Sequence, residues 1–423
     1  MAGHRAIRRF FGLFLVLLLY PIPILAQQGS ADPQSTQDAT PANPSDDISE
    51  GHSRSIGSPF VEFDSWIYPA IDRLAAMGFI QTEYAGMRPW TRIECARLIQ
   101  EADDMLLSEE SPPQEVKRLD ATLQKEFQGE LDALAGRGRE RAVRLESVYA
   151  DVTGISGPPL NDSYHFGQTL INNSGRPYQE GFNSYNGFSG YGTLGRFVLY
   201  VRGEYQHAPS APAYSLPIRQ VIAKIDINPL QPPSPISTAN QFRLLDTYVA
   251  ASLGNWNLAF GKQSLWWGPG EGGALLFSDN AEPIYMFRMS RITPFKFPWI
   301  LGWLGPVKTE SFFGKLSGNQ FPPRPLIHGE KISFKPTKNL ELAFSRTSEF
   351  GGVGRPLTFA SLVNSYFSFV TSVNYKAYNN PGKRTGGFEF TYRVPLLRNW
   401  LTLYVDSLAP DEPSPLLRHG ARR

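Results

Sequence analysis

Apolar and polar residues alternate with a period of two over most of the chain beyond residue 141. In five segments every second residue is apolar or aromatic, and the residues between are polar or small. The apolar members are Trp256, Leu258 and Phe260; Ile332 and Phe334; Leu340, Leu342 and Phe344; Phe388, Phe390 and Tyr392; Leu401, Leu403 and Val405. Such alternation is typical of strands with one apolar face. It predicts a mainly β, antiparallel fold for residues 141–423.

A soluble sandwich would alternate in the same way, so three further features decide the fold class. Several candidate strands approach the roughly 9–11 residues that a tilted membrane strand needs. Aromatic residues cluster near strand ends, and the polar faces carry charges that suit a wet lumen better than a dry core. These charged residues are Arg196, Arg202, Glu204, Glu341, Glu389 and Arg393. The prediction is an antiparallel transmembrane β-barrel of the outer-membrane type.

Helical periodicity is confined to residues 59–140. One predicted helix opens at Trp66 and ends at Gly78, and a second starts from the capping box formed by Thr91 and Glu94. A third amphipathic helix is predicted over residues 112–134. Together they predict a small N-terminal helical bundle or a helical plug.

The first 58 residues show no globular pattern. Arg5, Arg8 and Arg9 precede an apolar run, and prolines and Ala26 follow it. This order predicts a signal peptide over residues 1–26, because the run is too short to span a bilayer. Residues 27–58 are rich in Gln, Ser, Asp and Pro and are predicted to be a disordered linker. Removal of the three arginines leaves the mature chain close to neutral, which gives no reason to expect a nucleic-acid partner.

Composition excludes several kinds of chemistry. The 423 residues include 41% hydrophobic and 19% charged residues and a single cysteine, so no internal disulfide or cysteine-rich metal site forms. The six histidines show no zinc-binding spacing, and no Gly-x-Ser-x-Gly segment occurs. No nucleophile–base pair is recognisable. We therefore expect no enzyme activity, no catalytic residues, no metal and no cofactor.

The stretch 260–298 combines dense turn chemistry with aromatic and planar polar side chains. Trp266 and Trp267 run directly into Gly268-Pro269-Gly270, which cannot continue a regular element. A sugar ligand needs flat aromatic faces beside planar polar groups. The candidate polysaccharide-binding residues are Trp266, Trp267, Asn280, Glu282, Arg288 and Arg291. The alternative is that the tryptophans form an interfacial belt and that the two arginines face the lumen.

The same stretch carries a family resemblance. Gln263, the segment 266–270, Gly272-Gly273 and the segment 278–283 resemble the signature region of the Wzi capsule-assembly family. Its members are lectin barrels in the Gram-negative outer membrane that hold capsular polysaccharide at the cell surface. The resemblance implies an exported outer-membrane protein that anchors capsular or extracellular polysaccharide. Its implied partners are that polysaccharide, outer-membrane lipid and the polysaccharide-export machinery.

The first two predicted helices are also similar to one S-layer-homology repeat, a module that usually holds cell-wall polymers. The matching residues are Trp66, Tyr68, Ile71, Leu74, Gly78, Phe79, Pro89, Thr91, Arg92, Glu94 and Leu98. This similarity supports an alternative function, a porin with a wall-binding helical module, which conductance in planar bilayers would distinguish. A lipid or glycan hydrolase ranks last, for want of a nucleophile–base pair.

The C-terminal segment departs from the barrel pattern. A polar, proline-rich stretch leads to Arg423, where outer-membrane barrels usually finish on a strand with a terminal aromatic residue. About a dozen strands are recognisable, fewer than in the barrels of the resembling family. An open sheet edge is not tolerated in lipid. We therefore expect residues 141–423 to be an incomplete barrel, truncated or frameshifted and non-functional alone.

Overall fold

The computed structural model describes residues 56–137, 141–161, 167–225, 229–318, 323–367, 383–410 and 421–422. The predicted signal peptide and residues 27–55 of the predicted linker lie outside the described residues. Residues 56–58, at the end of that linker, already pack against the protein. Gly57 N–H donates to the Gly195 carbonyl at 2.8 Å, and Ile93 N–H donates to Ser58 Oγ at 2.8 Å. No helix within the described ranges is long and apolar enough to cross a membrane.

Four helices form the N-terminal region: α1 (Ile67–Met77), α2 (Arg92–Ser108), α3 (Gln114–Glu126) and α4 (Gln128–Leu134). Two predicted helix ends are confirmed, since Gly78 closes α1 at φ 97° and Thr91 Oγ1 accepts the Glu94 N–H at 3.2 Å. The predicted third helix is wrong in one respect, because it is two helices that meet at Phe127. The Phe127 ring is fully buried, and the guanidinium of Arg92 lies 4.6 Å from its centre.

A single antiparallel sheet makes up the rest of the described chain. The strands of this large sheet are β2 (Arg141–Ile155), β3 (Gly181–Leu194), β4 (Phe197–Ala208), β5 (Ala239–Leu253), β6 (Trp256–Gln263), β8 (Ile284–Arg291), β9 (Phe295–Lys296), β10 (Pro306–Lys315), β11 (Leu326–Thr337), β12 (Leu340–Phe350), β13 (Arg384–Arg393), β14 (Thr402–Pro410) and β15 (Ala421–Arg422). Two short strands, β1 (Met87–Arg88) and β7 (Trp266–Trp267), lie outside it. Helices α5 (Leu216–Ile225) and α6 (Phe359–Phe367) and a 3-10 helix (Trp299–Leu304) lie in connections. The predicted mainly β, antiparallel class is confirmed.

Sequential strands pair along one path from β2 to β15, except that β7 and β9 lie off it. β9 pairs with β10, and β7 pairs with β1 as a separate two-stranded sheet. Among the described residues, β2 and β15 do not pair with each other, so the sheet is open between them.

The two faces of this sheet invert the usual arrangement of a soluble protein. One face exposes apolar side chains such as Val249, Phe260 and Phe287. The other buries charged ones, and five of the six predicted polar-face charges lie there: Arg202, Glu204, Glu341, Glu389 and Arg393. The prediction is wrong for Arg196, which is exposed in the turn between β3 and β4 because that turn is only two residues long. We call the charged, concave side the lumen.

Connection lengths distinguish the two ends of the strands. Residues 195–196, 254–255 and 338–339 are tight turns at one end, which we call the short-turn rim. Residues 156–180, 209–238 and 264–283 are long connections at the opposite end, the long-loop rim. The helical region sits at the short-turn rim, where the Arg398 side chain donates to the carbonyls of Ala75 and Ala76 at 2.8 and 2.9 Å.

The connection between α1 and α2, residues 78–91, enters the lumen as a plug. Its Glu83 carboxylate is fully buried and accepts from Lys335 Nζ at 2.9 Å and from Arg393 Nη2 at 2.5 Å. Lys331 Nζ donates to the Gly86 carbonyl at 2.6 Å and to both oxygens of Glu389. Each of these lysine and arginine residues belongs to the wall, so ion pairs and hydrogen bonds join the plug to it.

Replacement of Glu83 tests this attachment. Burial alone would raise the pKa of Glu83, but the charges of Arg393 and Lys335 outweigh burial and hold its pKa below the usual 4.5. In Glu83→Gln two buried cations lose their carboxylate, which costs about 3–5 kcal/mol for such a broken pair. We expect proteases to cleave residues 78–91 faster in Glu83→Gln than in the exposed control Glu110→Gln. Equal cleavage would contradict the anchoring role.

The same pair predicts a pH dependence. Because the folded-state pKa of Glu83 is depressed, its stabilisation is present above the pKa of the unfolded chain and is lost as pH falls through the lower, folded-state value. Protease resistance of the plug is therefore expected to hold at neutral pH and to fall only below about pH 4.5. In Glu83→Gln this acid transition should be absent or smaller.

Candidate functional site

The connection between β6 and β8 folds inward and meets the plug. Its β7 pairs with β1, with Met87 opposite Trp267 and Arg88 opposite Trp266. The Gly-Pro-Gly turn allows this tight return, since a Cβ atom on Gly268 would lie 2.5 Å from that of Ala274. Residues 265–269 are therefore part of the lumen filling and not of an exposed rim.

Trp267 is fully buried in the lumen. Its Nε1–H donates to Glu310 Oε1 at 2.7 Å, and its ring makes edge contacts with Phe277 and Phe312 at 5.5 and 5.4 Å between centres. Trp266 is only 5% exposed, and its Nε1–H donates to the Gly268 carbonyl at 3.2 Å. In this arrangement neither indole offers a face to a sugar ring or lies in an interfacial belt.

The two predicted arginines lie on opposite sides of the wall. Arg288 faces the lumen, where it pairs with Glu310, donates to the Pro89 carbonyl at 3.3 Å and lies 4.3 Å from the centre of the Phe60 ring. Arg291 stacks on the rings of Trp256 and Phe295 at the short-turn end of β8. Its position is nine residues beyond Glu282, or roughly 30 Å along an extended strand. Arg291 and Glu282 therefore do not share a site.

Asn280 and Glu282 lie at the long-loop rim and join two loops. Asn172 N–H donates to Asn280 Oδ1 at 2.5 Å, and Ser174 N–H donates to the Asp279 carbonyl at 2.6 Å. Glu282 forms ion pairs with Lys262 and Arg243. Burial raises the pKa of Glu282, but the hydrogen bonds and charges of Lys262 and Arg243 bring it below the usual value. Sugar contact by the six predicted residues stays a prediction, and the burial of Trp266, Trp267 and Arg288 argues against direct contact by them.

A pocket of about 200 Å³ opens between the 156–180 connection and the ends of β2, β3 and β4. Its lining includes Asp151, Thr153, Leu170, Ile171, Asn172, Asn173, Arg176, Pro177, Tyr178, Asn183, Ser184, Tyr185, Gln206 and His207. We call it the loop pocket. Sequence reasoning missed it because its residues come from three strands and a loop and form no motif; the aromatic and amide side chains of residues 171–185 were the available signal.

The polar groups of the loop pocket are only partly satisfied. The side-chain oxygens of Asn172 and Gln206 are buried and have no hydrogen-bond partner among the described residues. The guanidinium of Arg176 lies 4.1 Å from the centre of the Tyr185 ring and pairs with the carboxylate of Glu204. The pocket therefore combines amide side chains with an aromatic ring, while its arginine is already neutralised.

A smaller cavity of about 60 Å³ adjoins the loop pocket and shares Asn172 and Arg176 with it. Carboxylates of Glu62, Asp64, Asp246 and Asp279 line it. Burial raises the pKa of Asp279 to about 6. Within the described ranges no group of three or more histidine, cysteine or acidic residues is arranged to hold a metal ion.

Comparisons with known proteins point to one family. Residues 151–421 match the sequence model of the family described as capsule assembly protein Wzi. An uncharacterised 55.8 kDa protein in the cps region of Klebsiella pneumoniae is 31% identical over 179 residues, which are 42% of this chain and 35% of that protein. The S-layer-homology similarity lies outside the matched range and stays a prediction.

A solved structure shares the fold. It is that of Wzi, an outer-membrane protein involved in group 1 capsule assembly in Escherichia coli, described as a carbohydrate-binding β-barrel. The TM-score is 0.56 at 19% sequence identity, over 86% of this chain and 65% of that one. The chain thus spans less than two thirds of either relative, and at this identity the likeness concerns the fold alone.

Truncation of Trp267 tests whether the paired tryptophans are structural. Trp267→Ala removes a fully buried indole and leaves Glu310 without its indole donor, so we expect the free energy of unfolding to fall by about 3–5 kcal/mol. Trp400→Ala, in an exposed turn at the short-turn rim, is the matched control. Unfolding followed by near-ultraviolet circular dichroism measures both. Equal stability of the two variants would contradict the buried role.

Proposed function

The chain belongs to the Wzi capsule assembly family, and on that premise we propose that it is an outer-membrane protein that binds capsular or extracellular polysaccharide at its long-loop rim. Binding there would anchor the polysaccharide at the cell surface. The loop pocket, an opening of about 200 Å³ at that rim lined by amide and aromatic side chains, is the observation that carries this proposal.

The distribution of apolar surface supports the membrane part of the proposal. The outer face of the sheet exposes Val143, Leu199, Phe242 and Tyr285, while the lumen face carries the charges. A wall that is apolar outside and polar inside suits a bilayer. Outer-membrane barrels have short periplasmic turns and longer extracellular loops. This orientation puts the helical region on the periplasmic side and the loop pocket at the cell surface.

The chemistry of the loop pocket supports a sugar ligand. Asn172, Asn173, Asn183 and Gln206 bring amide groups to its lining, and amides donate to and accept from the hydroxyls that every sugar ring carries. Tyr178 and Tyr185 add flat aromatic surface.

The charge of the loop pocket favours neutral sugar units over acidic ones. Arg176 is paired with Glu204, whereas the carboxylate of Asp151 lines the pocket and accepts from Thr153 Oγ1 at 3.0 Å and from the Tyr185 hydroxyl, with no cation paired to it among the ion pairs of the described residues. A uronate would meet that negative charge without an available cation. The same single carboxylate supports binding without cleavage, because glycoside hydrolysis ordinarily uses a pair of them.

The plug argues against the porin alternative. Glu83 and Tyr84 are buried and bonded to the wall, through Lys335 and the Pro306 carbonyl respectively, and Trp90 Nε1–H donates to the Tyr84 carbonyl from the core of the helical bundle. A conducting pore requires a continuous aqueous path, and the plug stands across the lumen. The described structure therefore supports a blocked barrel that presents a binding surface.

Variants of the loop pocket test the proposal. Gln206→Leu removes one buried acceptor and Tyr185→Leu removes one aromatic face, so we expect each to weaken binding of polysaccharide extracted from the source strain about tenfold, the equivalent of one net hydrogen bond or stacking contact. Tyr214→Leu, an exposed aromatic residue in the 209–238 connection, is the control. Isothermal titration of the purified chain measures the affinities, and carboxyl-reduced polysaccharide is expected to bind at least as well as the native polymer.

Cells provide a second readout. A strain that lacks the gene should shed surface polysaccharide into the medium, and Tyr214→Leu should restore retention better than Gln206→Leu. Normal retention in the deletion strain, or equal affinities for all three variants, would remove the sugar-anchoring role.

A further inference from the structure

Two polar residues of β11 lie on the side of the wall opposite to the lumen. Alternation places Ile327 and Lys331 in the lumen, where Ile327 packs in one cluster with Trp267 and Lys331 reaches the plug. His328 and Glu330 therefore belong to the outer, apolar side of the wall. Both are nevertheless buried, because α6 lies across β12 and covers them.

These side chains form a connected series with a serine of α6. Ser365 Oγ lies 2.9 Å from His328 Nε2, and His328 Nδ1 lies 2.8 Å from Glu330 Oε1. The imidazole is stacked on the Tyr366 ring, with 3.8 Å between centres and 13° between planes. Hydroxyl, imidazole and carboxylate thus follow one another in the order and at the distances of a nucleophile, a base and an orienting group.

Arg346 fixes the end of α6 over this series. Its Nη1 donates to the Tyr366 carbonyl at 2.5 Å and its Nη2 to the Ser365 carbonyl at 3.0 Å. Arg346 lies opposite Glu330 in the β11–β12 register, on the same outer side of the wall. The guanidinium therefore holds the backbone of Ser365 and Tyr366 against the wall and keeps the serine beside His328.

We propose that Ser365, His328 and Glu330 form a site that hydrolyses acyl esters of membrane lipid. The lipid class follows from location, since the site lies on the outer side of the wall near the long-loop rim and not in the lumen. Leu357 and Phe359, at the start of α6, are exposed apolar side chains on that approach. This activity is separate from polysaccharide binding and does not depend on it.

The reaction needs water as its only co-reactant. Ser365 Oγ attacks the ester carbonyl carbon while His328 Nε2 takes the hydroxyl proton, and the protonated imidazole then passes that proton to the departing alcohol as the ester C–O bond breaks. Water attacks the acyl-serine with His328 again as base, which releases the fatty acid and restores the serine. Glu330 is a positioning residue, which accepts from Nδ1–H and keeps Nε2 free to act as base.

The described conformation is the closed one. Ser365 is fully buried and its hydroxyl donates to the Leu362 carbonyl at 2.7 Å, so an ester reaches it only when the exposed residues 357–360 at the start of α6 move away and the hydroxyl turns to His328, while Arg346 keeps the end of the helix in place. A lipid interface favours that movement because it offers an apolar environment to Leu357 and Phe359. Activity is therefore expected in mixed micelles that contain phospholipid.

The test uses the purified full chain in mixed micelles of detergent and phospholipid, with a long-chain alkyl fluorophosphonate as the probe. We expect covalent labelling of the unaltered chain, none in Ser365→Ala, and unchanged labelling in Ser361→Ala, a buried serine on the same helix that bonds locally to Thr358. His328→Gln should slow labelling at least a hundredfold, and Glu330→Gln at least tenfold. Fatty acid release from phosphatidylethanolamine vesicles should follow the same order.

The histidine variant separates catalysis from packing. A serine that only satisfies a buried histidine is not activated by it, so His328→Gln would leave its labelling unchanged, whereas a histidine-assisted serine loses its labelling. Unlabelled chain in mixed micelles, or equal labelling of Ser365→Ala and the unaltered chain, would overturn the proposal. Retained polysaccharide binding by Ser365→Ala would show that the sugar-anchoring role does not depend on the proposed hydrolytic site.

Discussion

Burial of opposite charges between the plug and the wall is the constraint on which the structure depends. A lumen lined by Lys308, Lys331 and Lys335 would ordinarily be wet, but here segments of the same chain replace the water. Each buried cation then needs a carboxylate; the plug supplies Glu83 to Lys335, and the first turn of α2 supplies Glu94 to Lys308. An uncompensated buried charge is far more costly than a paired one, so these contacts specify one position of the plug. The apolar core of the helical region stabilises the bundle itself but does not determine where it docks.

The capping box at the start of α2 contains one residue that caps the helix and one that makes a long-range contact instead. Thr91 caps α2 as its sequence predicts, yet the carboxylate of Glu94 does not turn back to complete the box and pairs with Lys308 instead. Trp267 likewise donates a hydrogen bond to Glu310, whose other carboxylate oxygen accepts from Arg288. The family's signature stretch is therefore a structural junction between plug, inward loop and wall. The surface available to a ligand lies above this junction, at the joined loops.

Sequence patterns predict the parts of this fold that depend on local periodicity. Period-two alternation identifies β11, β12 and β13 and their faces, and it also separates Arg288 from Arg291, because three residues along a strand bring a side chain to the opposite face. Burial of Trp267 could not be predicted, since it depends on pairing with Met87 of a distant segment. The Ser365–His328 contact is non-local in the same way, and the loop pocket draws on three strands. Alternation describes a strand but not what is packed against it.

The pairing of β1 with β7 bears on how the protein is assembled. β1 precedes every strand of the wall, whereas β7 lies between two strands near its middle, so their contact joins parts of the chain that are synthesised far apart. Contacts between distant segments carry a large loop-closure cost and form slowly. The helical bundle therefore folds around its own core first, and the strands of the wall assemble around it afterwards. A chaperone-bound folding intermediate would then have the helical bundle in place before its docking surface exists.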